Sequence, residues 1–151
     1  MQKLSSSSLK EGLLGYKYFE ALKEFTERAK ALKPEAIILF GSLAKGDFHE
    51  FSDADVCLIL PKDKVDFSEG QDLVMKHNTE GIVEVLVYGK EQFLKVLREA
   101  NPLALEVAWD GIFLDGNEGY LKAIEEAFAL ASQEFKLEKL ADGWAVKERE
   151  K

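Results

Sequence analysis

The chain has 151 residues, 46% of them hydrophobic and 32% charged, and a formal net charge of -8. That length suits one domain with a core of its own, and a single domain over residues 1–151 is expected. The acidity argues against general nucleic-acid binding, which needs Lys and Arg to neutralise phosphates, and no run approaches the roughly 20 apolar residues of a membrane span.

In chain order, Ser8-Leu9-Lys10-Glu11 reads as a capping box behind a frayed serine run, with no apolar leader before it. Leu14, Tyr18, Leu22, Phe25, Ala29 and Leu32 recur at steps of three and four, one face of a helix that Pro34 ends. Ala36 to Phe40 reads as a buried strand, and Gly41 to Gly46 as a turn into a brief helix stopped by Gly46. Ala54 to Leu60 is a second strand closed by Pro61. Ser68 to His77 is a helix with Ser68 as N-cap, and Ile82 to Tyr88 is a β-branched third strand. Glu91 to Ala100 and Pro102 to Trp109 read as short helices, with Pro102 at a first helical position. Gly111 to Gly116 is a short strand, and from about Glu118 a long helix carries Leu121, Ile124, Phe128, Ala131 and Phe135 on one stripe. Helices alternating with short strands give an α/β or α+β fold. The single cysteine, Cys57, sits within an apolar run as a small buried hydrophobe, and a reducing cytoplasm is its natural compartment.

The chemistry gathers in Gly41-Ser42-Leu43-Ala44-Lys45-Gly46-Asp47-Phe48-His49-Glu50-Phe51-Ser52-Asp53-Ala54-Asp55. Residues i and i+2 of a strand project on one face, so Asp53 and Asp55 point together. Two carboxylates so close repel unless a cation lies between them. An all-oxygen setting suits magnesium, completed by water and substrate phosphates, and a two-ion site would clamp a phosphoryl displacement. Gly41 permits a tight turn after its strand and Ser42 caps the helix that follows, which offers N–H groups to a phosphate; Lys45 adds a positive charge one turn on. Glu84 interrupts an apolar strand and is a third candidate carboxylate. Alone, each feature has a plainer reading: a solvated strand start, an ordinary turn, an edge charge. Together they are much rarer. The two histidines, His49 and His77, lack metal-ligand spacing.

Gly41-Ser42, ten residues, and Asp53-Ala54-Asp55 resemble the signature of the DNA polymerase beta-type nucleotidyltransferase superfamily, in particular its minimal nucleotidyltransferases. The likeness runs on through Glu84 to Phe93 and the Gly111 strand, over about residues 35–116. The resemblance implies a nucleotidyltransferase fold, a small mixed β-sheet flanked by helices. It implies magnesium, as a two-ion site, on Asp53, Asp55 and Glu84, which would be the catalytic carboxylates, with the triphosphate on Gly41 and Ser42. Glu84 stands where the family usually has Asp, and Lys45 where relatives often carry Arg. The resemblance further implies transfer of a nucleoside monophosphate, AMP from ATP, to a hydroxyl. The acceptor in such toxin–antitoxin couples is a tyrosine of a small helical HEPN-type protein. Two other readings stay open: transfer to a small molecule, and a catalytically weak binding module that masks a partner. Self-association of the chain is compatible with all three.

Overall fold

A computed structural model describes residues 2–3, 12–77, 83–141 and 143–147. The chain runs β1 (Gln2–Lys3), α1 (Phe19–Ala29), β2 (Ala36–Phe40), α2 (Gly41–Lys45), β3 (Ala54–Leu60), α3 (Phe67–His77), β4 (Val83–Gly89), α4 (Lys90–Arg98), α5 (Pro102–Asp110), β5 (Ile112–Gly116), α6 (Glu118–Phe135), β6 (Leu137–Leu140) and β7 (Gly143–Val146). The first five strands form one mixed sheet in the order β1-β5-β2-β3-β4. β2 runs antiparallel to β3 and β5, while β3 and β4 are parallel.

Strand alternation sends side chains to two covered faces. Ala36, Ile38, Phe40, Cys57 and Ile59 meet Phe93 and Leu97 of α4, Leu105 and Val107 of α5, and Ile124 of α6. Ile37, Leu39, Val56 and Leu58 meet Leu22, Phe25 and Ala29 of α1 on the other face. β2 is wholly buried and so is nearly all of β3, which is why both read as unbroken apolar runs rather than alternating ones. Each such large side chain contributes about 1.5–3 kcal/mol by leaving water. None of the described helices is long and apolar enough to cross a membrane.

The middle of the chain folds as its pattern dictates, but the boundaries move. The expected capping box, Ser8 to Glu11, lies outside the described residues, as does Ile82. The helix that buries Leu22, Phe25 and Ala29 starts at Phe19, and Leu14, 85% exposed, lies in the turn ahead of it. Gly15 turns the chain ahead of it, and Leu13 and Tyr16 are the residues buried there instead. At its other end α1 tightens into a 3₁₀ turn over Lys30–Leu32, and Lys33 closes it in the left-handed region before Pro34. Asp66, not Ser68, begins α3: its Oδ1 accepts from the Glu69 N–H at 2.8 Å. α4 starts a residue early because Gln92 Oε1 accepts from the Gly89 N–H at 3.0 Å, and Asn101 Oδ1 caps α5 through the N–H groups of Leu103 and Ala104. The last helix does not run to the end of the chain. Lys136 turns left-handed and the antiparallel hairpin β6–β7 follows. Trp144 of β7 seats that hairpin edge-on against Phe128 of α6 and Trp109 of α5, both ring centroids 5.6 Å away.

Candidate active site

The end of β2 and the starts of β3 and β4 lie side by side at one end of the sheet. Phe40 is opposite Asp55 in the β2–β3 ladder, and Asp55 is opposite Glu84 in the β3–β4 ladder. Gly41 follows Phe40 with φ +74°, a conformation other residues adopt at a cost of roughly 1–2 kcal/mol. A Cβ here would also overlap the Asp55 carboxylate. Gly41 therefore serves two needs at once: it turns β2 into α2, and it lets backbone lie directly against Asp55. Ser42 is not the expected cap. It is the second residue of α2, half-buried, and no side chain caps that helix. Gly46 does stop it, in the left-handed region as expected.

Asp53 is exposed just before β3, and Asp55 is half-buried within it. Asp55 and Glu84 stand side by side across the β3–β4 ladder, and each lies within reach of the other's charge. Burial first, then the Glu84 hydrogen bond and charge, then Asp53 and Glu106, push the Asp55 pKa from 3.8 to about 6. Asp55 is thus a half-buried carboxyl crowded by other carboxylates, an arrangement that raises pKa values at sites where carboxylates do chemistry.

Three further side chains hold the loop and the flank. Tyr16, in the turn before α1, donates its hydroxyl to the Ser52 carbonyl at 2.6 Å, and the Lys17 N–H donates to the Glu50 carbonyl at 2.9 Å. Burial, Asp53, Tyr18 and Asp55, in that order, push the Tyr16 phenol up to about 12, so it stays protonated as a donor. On the other flank the Lys45 ammonium meets Glu106 of α5 at 2.9 Å. The hydrogen bond to Glu106 raises the pKa of Lys45 against the opposing effect of desolvation. Asp110, one turn along α5, acts on the same lysine and has one buried oxygen, Oδ2, with no hydrogen-bond partner. Glu106 carries a sequence signal, a lone charge in Leu103-Ala104-Leu105-Glu106-Val107-Ala108-Trp109. Tyr16 carries none, because its partner lies far along the chain. The histidines are locally engaged: His49 Nδ1 accepts from the Phe51 N–H at 3.2 Å, and a His77 ring nitrogen lies 3.0 Å from the Leu73 carbonyl oxygen. Burial pushes the Cys57 thiol up, which keeps it inert within β3.

Asp53, Asp55 and Glu84 are all hard oxygen donors, and a divalent cation among them would offset the like charge that raises the Asp55 pKa. That donor set fits magnesium, which binds through one or two carboxylates with water and phosphate completing its shell. Among the described residues no three ligands already converge around a point, so the protein offers part of a coordination shell rather than a closed cage.

The model of the nucleotidyltransferase domain matches residues 20–141, most of the chain. The chain belongs to that family. It is a nucleotidyltransferase, and the expectation drawn from Gly41-Ser42 and Asp53-Ala54-Asp55 is met. Among solved structures, the family's fold recurs in a toxin–antitoxin protein crystallised with AMP-PNP, at 20% identity and a TM-score of 0.53 over 76% of this chain and 91% of that one. A mutant of the toxin–antitoxin pair MntA–HpeT is similar at 16% identity and a TM-score of 0.53, over 76% and 91% of the two chains. A Sulfolobus solfataricus protein assigned as a nucleotidyltransferase is 20% identical with a TM-score of 0.51, over 76% and 92%. At these identities the likeness is one of fold. No curated protein matches the chain in sequence.

Proposed function

We propose that this nucleotidyltransferase moves AMP from ATP onto a hydroxyl of a partner protein, with magnesium as cofactor, in the cytoplasm. The observation that carries the reading is the Asp55–Glu84 carboxyl pair packed against the Gly41 backbone, with Asp53 beside it. The Gly41-Ser42 turn faces the triphosphate, and its close approach to Asp55 puts phosphate and carboxylates within one site. Asp53, Asp55 and Glu84 would hold magnesium, which when bound neutralises phosphate charge and fixes the direction of attack. Glu84, exposed on β4, takes the proton of the attacking hydroxyl. The acceptor oxygen bonds to the α-phosphorus, the bond to the bridging oxygen breaks, and pyrophosphate leaves. Lys45 reaches a phosphate only by leaving Glu106, so backbone and cation carry most of the charge compensation.

The protein acceptor is supported by the toxin–antitoxin setting of two structural neighbours. One was crystallised with an ATP analogue, and the other carries two aspartate-to-glutamate changes two positions apart. A helical HEPN-type protein with an exposed tyrosine is the partner we infer. A masking module is the second reading, favoured by one observation: Lys45, expected to meet the nucleotide, is already tied to Glu106. Incubation of the chain with its partner, ATP and magnesium, followed by intact mass spectrometry, separates the two. An ATP-dependent AMP adduct on a partner tyrosine is expected. A stable complex without an adduct would overturn transfer in favour of masking.

A further inference from the structure

β4 is the outer strand of the sheet. β3 pairs with its inner edge, and among the described residues no strand pairs with the other. Glu84 is exposed and Val85, Leu86, Val87 and Tyr88 are half-buried. Unpaired strand edges invite other chains, and proteins usually protect them with lysine, proline, a bulge or a cover. Val85-Leu86-Val87-Tyr88 has neither lysine nor proline, and its ladder to β3 runs without a register shift. Beside this edge α3 presents Phe67, Gln71 and Met75 at steps of four, hence on one face. Phe67 is 82% and Met75 77% exposed, and Phe67 and Gln71 line a groove of about 230 Å³ with Val85, Val87 and Tyr88.

We propose that β4 pairs antiparallel with β4 of a second copy, centred on Leu86, so that two sheets join into one. The segment is its own complement. A two-fold interface places the same patch on both sides and must therefore suit itself. Centred on Leu86, which is the middle of the strand, the pairing sets Leu86 against Leu86, Val85 against Val87, and Glu84 against Tyr88. No like charges meet, and the opposed apolar pairs are those that stabilise antiparallel ladders. A centre at Val85 would press Glu84 onto Leu86, and one at Glu84 would oppose two carboxylates. A single edge of this kind closes at two copies. One consequence rests on the function proposed above: Tyr88 of the second copy borders the Glu84 site, so each site is completed in trans. The pairing itself does not depend on that function.

Sedimentation equilibrium of the intact chain tests it without reference to catalysis. Mass should rise with concentration from 17.0 kDa towards twice that value and stop there. Leu86→Lys and Leu86→Glu should each be monomeric alone, and an equimolar mixture should regain the dimer. Because a charge at half-buried Leu86 can unfold the chain, Leu86→Cys supplies a gentler variant. Residues opposed at the two-fold have Cα atoms about 4.5–5.5 Å apart, within disulfide reach. Mild oxidation should link that variant into dimers, while the parent, with Cys57 buried, should not link. A parent monomeric at every concentration, assemblies larger than two, or a Leu86→Cys chain that fails to link would each overturn the proposal.

Discussion

Replacing Asp55 with Asn should stabilise the metal-free protein at neutral pH and leave its stability at pH 4 nearly unchanged. Asp55 has its pKa raised from 3.8 to about 6 by burial, by the Glu84 hydrogen bond and by neighbouring charge. A carboxyl raised in the folded state binds its proton more tightly there than in the unfolded chain. Its stabilising contribution is complete below pH 3.8 and is lost as pH rises through about 6. At about 1.4 kcal/mol per pH unit the whole gap would come to about 3 kcal/mol. Asp55 is only half-buried, and solvent screening reduces this to about 1–2 kcal/mol. Asn cannot ionise, and its amide N–H can donate to Glu84, so it escapes the loss. Thermal unfolding followed by circular dichroism in chelator, at pH 4 and pH 7.5, should show the variant ahead by roughly 2–8 °C at the higher pH only, the range expected for this size of chain. Added magnesium should raise the parent's midpoint at pH 7.5 and the variant's much less, because the cation offsets the carboxylate charge that destabilises Asp55. A variant no more stable than the parent at pH 7.5, or equally ahead at both pH values, would refute the account of a strained carboxyl pair.

The remaining expectations address the groups around that pair. Gly41→Ala should cost about 1–2 kcal/mol for the left-handed backbone alone, plus the displacement of Asp55, and should abolish transfer; urea unfolding and the adduct assay would check both. Tyr16→Phe removes the hydroxyl bond to the Ser52 carbonyl and should cost roughly 0.5–1.5 kcal/mol. It should also weaken magnesium binding through the loosened Asp53, as read by calorimetry. Glu84→Gln should leave ATP affinity nearly unchanged and lower the transfer rate by roughly 10²-fold or more, and a fully active variant would make Glu84 structural.

The elements were legible because their causes are local. An unbroken run such as Ala54 to Leu60 reads as a strand, Pro102 marks a helix start, and steps of three and four along Glu118 to Phe135 give an amphipathic helix. The failures are local too. The hairpin of Leu137–Leu140 with Gly143–Val146 ends the expected long helix early, and Asp142-Gly143 in the sequence is itself a turn signal. Leu14 fits the helical stripe by spacing, yet Tyr16 is drawn to Ser52 and the chain turns at Gly15.

By itself, then, the sequence determined the periodicities, the glycine turn and the spacing of Asp53 and Asp55, and from these the family. Tertiary structure decided which side chains meet. Register across the β3–β4 ladder brings Glu84 opposite Asp55, the fold of α2 onto α5 ties Lys45 to Glu106, and the path before α1 delivers Tyr16 to the loop of Asp53. No local pattern records those partners. Pairing between distant segments is set by how two buried faces pack together, and a shift of one residue in register would have turned Glu84 to the other side of the sheet.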